Sequence, residues 1–143
     1  ITQIRKKKIG LIFQQFYLIP NYTALENVMF PMQLNQINEE EKKANSLLEE
    51  IGLGNRKNNL PSELSGGEQQ RVAIVRAISF NPEIILADEP TGNLDRKNTE
   101  LVSNILLDYS YKKKISLILV THNMNLAKKC DRVIKLLDGC IEI

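Results

Sequence analysis

The sequence predicts an α/β fold in which a parallel sheet is covered by helices on both faces. Three short apolar runs, from Ile9 to Phe13, Ile84 to Ala87 and Ile115 to Val120, have the length and composition of buried strands. Segments with helical spacing and capping signals separate them. Strand and helix alternate through the second half of the chain, which is the pattern of a parallel sheet with crossover helices.

The first strand ends at the polar pair Gln14-Gln15, which the pattern places at the rim of the sheet. Pro20-Asn21 marks a turn, and Thr23-Ala24-Leu25-Glu26 has capping-box spacing, so a helix is expected through Val28 and Met32. A second helix is expected from Asn38 to Ile51. Its acidic run Glu39-Glu40-Glu41 sits at the positive end of the helix dipole, Leu47, Leu48 and Ile51 form its apolar side, and Gly52 or Gly54 closes it. Ser65 and Glu68 repeat the capping-box spacing and open a helix carrying Ile74, Ala77 and Ile78, which Asn81-Pro82 ends.

The strand Ile84 to Ala87 delivers Asp88-Glu89 to its C-terminal end, and Pro90 breaks the pairing. Thr91 to Asp95 turns the chain into a helix bearing Leu101, Ile105 and Leu106. The strand Ile115 to Val120 ends in Thr121-His122. A last helix near Leu126-Ala127 leads to a strand from Val133 to Leu137, and Asp138-Gly139 predicts a hairpin turn into Cys140 to Ile143. Residues from Thr23 to about Leu64 hold helices without strands, the mark of a helical insertion between sheet strands.

With 143 residues, 43% apolar and 25% charged, the chain has the size and composition of one folded domain. The net charge of +2 gives no field favouring nucleic acid, and the basic runs Arg5-Lys6-Lys7-Lys8 and Lys112-Lys113-Lys114 read as solvated surface. No apolar stretch approaches the roughly 20 residues of a membrane span, so a soluble, cytoplasmic chain is expected. Cys130 and Cys140 read as reduced packing residues.

Two sequence features have the chemistry of a phosphate site. In Asp88-Glu89, one carboxylate suits a hydrated magnesium ion and its neighbour suits polarising water for attack on a phosphate; a solvated sheet rim would look the same. Ser65-Gly66-Gly67 sets a hydroxyl and two unhindered amides at a helix N-terminus, which suits phosphate or simply caps a helix. Gln14 and His122, each after an apolar strand, are neutral groups able to donate and accept, suited to a metal-bound water and a terminal phosphate.

Taken in order and spacing, Gln14, Leu64-Ser65-Gly66-Gly67-Glu68-Gln69-Gln70-Arg71, Ile84-Ile85-Leu86-Ala87-Asp88-Glu89-Pro90, Gly92-Asn93-Leu94-Asp95 and Val120-Thr121-His122 resemble the ABC-type ATPases along nearly the whole chain. The resemblance implies a P-loop NTPase (RecA-like) core with a parallel sheet, residues 1–21 and 80–143, and an inserted helical subdomain, about residues 22–64, leading into the signature helix. It implies ATP and Mg2+ as ligands. Gln14 matches the Q-loop glutamine that approaches magnesium, and Ser65, Gly66 and Gly67 match the signature that contacts ATP held by the opposite subunit. Asp88 matches the magnesium-associated aspartate, Glu89 the general base, Asp95 the aspartate of the dimer interface, and His122 the switch histidine.

Ala87 to Asp95, with Phe13-Gln14-Gln15-Phe16 before it, looks most like the subgroup serving lipoprotein release, macrolide or antimicrobial-peptide efflux and related cell-division complexes. The implied partners are transmembrane permease subunits and a second ATPase subunit in a head-to-tail dimer, on the inner face of the cell membrane. The pattern departs from the family in one respect: no G-x-x-x-x-G-K-[ST] loop, the Walker A motif, occurs among the seven glycines. The family places that loop and its strand ahead of Ile1, so an N-terminally truncated domain is expected, inactive and poorly stable alone. The leading expectation is the ATP-hydrolysing subunit of an exporter; a regulatory or scaffold subunit and a degenerate remnant are the alternatives.

Overall fold

The computed structural model describes residues 7–142. Strands β1 (Ile9–Ile12), β2 (Ile84–Asp88) and β3 (Ser116–Val120) form a parallel sheet in the order β1-β2-β3. Ile12 pairs with Ala87 and Asp88 with Val120, so all three strands deliver their C-terminal ends to one rim. Helices α1 (Ala24–Leu34) and α2 (Glu40–Glu50) lie between β1 and β2 in sequence, followed by α3 (Gly66–Ile78); α4 (Arg96–Lys113) crosses from β2 to β3.

Local sequence accounts for most boundaries. The Thr23 and Ser65 hydroxyls accept from the backbone N–H of Glu26 and Glu68, while both glutamates reach back to the cap backbone. Helix α2 ends as its glycines predict: Gly52 takes φ +73°, its N–H donates to Glu49 O, and the N–H of buried Leu53 donates to Leu48 O. Asp95 caps α4 by accepting from Asn98 N at 2.9 Å.

Helix α3 is the centre of the core. Val72, Ala73, Ile74, Val75, Ala77 and Ile78 are all buried, as expected of a helix enclosed on several sides, and it packs on α1, β1 and α4. The Tyr109 hydroxyl donates to Glu50 Oε2 at 2.6 Å and ties α4 to α2; burial and this carboxylate hold the phenol well above its usual range.

Two expectations are corrected. Among the described residues helices cover one face of the sheet: Ile12, Ile85 and Ala87 are buried, whereas Ile118 and Val120 on the opposite face are 57% and 56% exposed. The strand expected from Val133 to Leu137 shrinks to β4 (Leu136–Leu137), because among the described residues its only ladder partner is β5 (Cys140–Ile141) across the hairpin. On α4, Val102, Leu106 and Tyr109 form the buried side, and Leu101 is 42% exposed. The hairpin turn itself stands, with Asp138 and Gly139 both at positive φ. Arg5, Lys6 and Ile143 lie outside the described residues. The short helix α5 (Met124–Ala127) follows β3.

Candidate functional site at the strand ends

The C-terminal rim gathers the residues that the sequence marks. Asp88 closes β2 on the open face, exposed, and its carboxylate has no hydrogen-bond partner among the described residues. One residue on, Glu89 takes φ +44°, a left-handed conformation that a non-glycine residue adopts at a cost of about 1–3 kcal/mol. Its N–H donates to Val120 O at 2.9 Å and its carbonyl accepts from Gly92 N at 3.0 Å, so the turn is fixed from both sides.

That turn aims the Glu89 carboxylate across the rim to the end of β3. Oε1 accepts from His122 N at 2.7 Å and from His122 Nδ1 at 2.8 Å, and Oε2 accepts from Thr121 Oγ1 at 3.3 Å. A carboxylate only accepts, so the contact sets the ring proton of His122 on Nδ1 and leaves Nε2 as an outward acceptor when the ring is neutral. The Glu89 side chain is largely shielded, at 20% exposed, while His122 faces solvent. The two residues expected to be catalytic therefore sit together.

Gln14 lies at the neighbouring strand end and pairs with Asn93. Gln14 Nε2 donates to Asn93 Oδ1 at 3.0 Å, and Asn93 Nδ2 donates back to Gln14 O at 3.2 Å. Gly92 makes the approach possible, since a Cβ there would lie 2.8 Å from Gln14 Nε2. The pair occupies the amide nitrogen of Gln14 and leaves its Oε1 without a hydrogen bond among the described residues.

Ser65, Gly66 and Gly67 form the first turn of α3. Ser65 and Glu68 satisfy one another, and no hydrogen bond joins Ser65 to Glu89 or His122. The backbone N–H of Ser65, helped by Arg56 at 3.5 Å, holds the Glu68 carboxyl below its usual range. Asp95 is likewise engaged at its own helix cap, where the Asn98 backbone and side-chain N–H groups lower its pKa.

Sequence reasoning gave no role to three side chains that hold the backbone at and beside this rim, although Gln70 lies within the motif that carries the resemblance. Buried Gln70 donates to Pro90 O at 2.7 Å and Phe13 O at 3.3 Å. Arg76 donates to Phe16 O at 3.0 Å and to Tyr17 O. Asn27, also buried, donates to Ile19 O, Tyr22 O and Thr23 O and accepts from Ile19 N at 2.8 Å, fixing the entry to α1. All three bond backbone carbonyls, a partner that every residue carries, so the sequence does not say which carbonyl each one holds.

Among the described residues no three His, Cys, Asp or Glu side chains converge as a metal cage. A partner-free carboxylate, Asp88, and the amide oxygen of Gln14, at the ends of neighbouring strands, are oxygen donors of the kind that suits a hard cation taking few protein oxygens and completing its shell with water and phosphate, as Mg2+ does.

A family model described as ABC transporter matches residues 1–92. The chain belongs to the ABC transporter family. Its relatives among ABC transporter proteins include an uncharacterized ABC transporter ATP-binding protein, YbbA, of Escherichia coli (strain K12), 44% identical over 143 residues, 99% of this chain and 63% of that protein. The lipoprotein-releasing system ATP-binding protein LolD of Treponema denticola is 49% identical over 144 residues, 99% of this chain and 64% of that one. The dimeric ATP-binding cassette MJ0796, in a post-hydrolysis state bound to ADP and Pi, superposes with a TM-score of 0.88 at 43% identity, covering 99% of this chain and 64% of that structure. The chain thus has the ABC ATPase fold and spans about 63% of the length of the curated relatives it matches. No helix among the described residues is long and apolar enough to cross a membrane.

Proposed function

We propose that this chain forms part of the ATP-hydrolysing subunit of an ABC-type exporter, in which two such subunits meet head to tail and drive permease partners from the inner face of the membrane. The observation that carries the reading is the Glu89–His122 pair at the rim, one residue beyond a free Asp88. Kinship with LolD, named for lipoprotein release, and with a dimeric cassette supports the transport and dimer parts.

In this reading Glu89 is the general base. Its carboxylate is oriented by Thr121 and His122, and its Oε2, held by one long bond at 3.3 Å, is the oxygen free to take a proton from water. His122 turns Nε2 outward, and in the doubly protonated ring that nitrogen carries a proton to donate to the terminal phosphate while Nδ1 stays on Glu89. Asp88 and Gln14 would hold Mg2+, which when bound neutralises phosphate charge and polarises the bond that breaks. Gly66 and Gly67, with Ser65, present the N-terminus of α3 to ATP held by the other subunit, and Asp95 lies at the joint between the two. A loop that cradles phosphates with glycines and a lysine is not encoded in these 143 residues and would come from elsewhere in the gene product. Residues 22 to about 64 form the helical insertion, and its groove beside Gln14 receives the permease.

The test is Glu89→Gln in the complete gene product. Turnover falls by a factor of about 10² or more while ATP binding persists; unchanged turnover removes Glu89 as the base.

A further inference from the structure

We infer that Gln70 is a positioning residue for this site, setting the separation between the backbones that carry Gln14 and Glu89; the inference rests on the function proposed above. Gln70 is fully buried in α3, and its Nε2 bridges Phe13 O and Pro90 O. Phe13 immediately precedes Gln14, and Pro90 immediately follows Glu89. The β1–β2 register ends with Ile12 opposite Ala87, so these bonds take over where the ladder stops. An amide nitrogen is suited to the task because its two protons point in different directions, one for each carbonyl.

The other atom of the same amide argues against a purely stabilising role. Among the described residues nothing hydrogen-bonds the buried Gln70 Oε1, an arrangement that detracts from stability. Methionine would fill the same volume without that penalty but could not bridge the strand ends. Arg76 on the same helix holds Phe16 O and Tyr17 O, so the segment bearing Gln14 is fastened to α3 on both sides. The helix that begins with Ser65-Gly66-Gly67 and the strand ends that carry Gln14 and Glu89 are thereby one mechanical unit.

The test is Gln70→Met in the complete gene product, which keeps buried volume and removes both donors. ATP turnover falls about ten- to a hundredfold, and the Mg2+ concentration for half-maximal turnover rises about tenfold. Amide hydrogen exchange quickens at Gln14–Phe16 and Thr91–Asn93 while α3 stays protected. Unchanged turnover and metal dependence overturn the inference; so does a lower turnover with unchanged metal dependence and faster exchange throughout α3, which is a packing defect. If the wild-type protein shows no turnover that Glu89→Gln abolishes, the proposed function fails, and the exchange pattern alone decides whether Gln70 ties the strand ends. Should Gln70→Met not fold, the wild-type side-chain amide protons decide: slow exchange relative to exposed Gln33 and Gln36 supports the bridge, and equal rates overturn it.

Discussion

The carboxylate of Glu89 is held from beyond the end of the neighbouring strand, with both the backbone N–H and the ring Nδ1 of His122 on the same oxygen at 2.7 and 2.8 Å. Removing the ring leaves the backbone bond in place. His122→Ala should therefore keep the fold, with a thermal midpoint close to that of the wild type, because the ring is 81% exposed. Turnover in the complete gene product should drop by about 10²-fold. Measuring both on one preparation separates the two effects; a large loss of stability would mean that the ring is structural.

Gly92→Ala offers the complementary case. The new Cβ meets Gln14 Nε2, the far end of a side chain that can swing away, so the change in unfolding free energy should stay within about 0.5 kcal/mol. The Gln14 Nε2–Asn93 Oδ1 bond is lost, and metal-dependent turnover should fall by about tenfold. A urea titration beside a Mg2+ titration tests the two halves of this statement.

Asn27→Ala should destabilise far more than its distance from the rim implies. The hydrogen bonds of a fully buried side chain disappear together, leaving carbonyls of Ile19 and Tyr22 without that donor. A loss of about 3 kcal/mol is expected, read as a lower urea midpoint with an unchanged slope. A loss below about 0.5 kcal/mol would show that water replaces the amide.

Acid should unfold the chain through its helix caps. Glu26, Glu68 and Asp95 all have lowered pKa values, each chiefly from a backbone hydrogen bond, to Thr23, Ser65 and Asn98 respectively. A carboxyl whose pKa is lower in the folded state contributes stability in full above its unfolded value, 4.5 for glutamate, and loses it as pH falls through the folded value. Urea midpoints should thus fall steadily below about pH 4.5, and Glu68→Gln should flatten part of that decline. A Glu68→Gln profile parallel to wild type would discount the Ser65–Glu68 box.

What could be read in advance follows the range of the interactions. The Thr23–Glu26 and Ser65–Glu68 boxes, the Gly52 stop and the Asp138-Gly139 turn are settled within a few residues, and each stands in the fold where the spacing puts it. Leu101 and the stretch from Val133 to Leu137 are apolar in sequence, yet their burial depends on what packs against them, and the described residues supply little. The site divides in the same way. Gln14, Asp88, Glu89 and His122 stand out because a polar group directly after an apolar strand is conspicuous, whereas Gln70 reaches across 57 residues to a carbonyl. The pairing of Glu89 with His122, rather than two separately exposed groups, required the register of β2 and β3.

The bare side of the sheet bears on how this polypeptide must be handled. Ile118 and Val120 lie open on β3, which is also an edge strand among the described residues, and Leu136, Leu137 and Ile141 are exposed close to them in sequence. Such an edge pairs with whatever strand it meets first. Folding is a first-order event and edge-to-edge association a second-order one, so the yield of soluble monomer on dilution from denaturant becomes a function of protein concentration, and dilution itself acts as the folding aid.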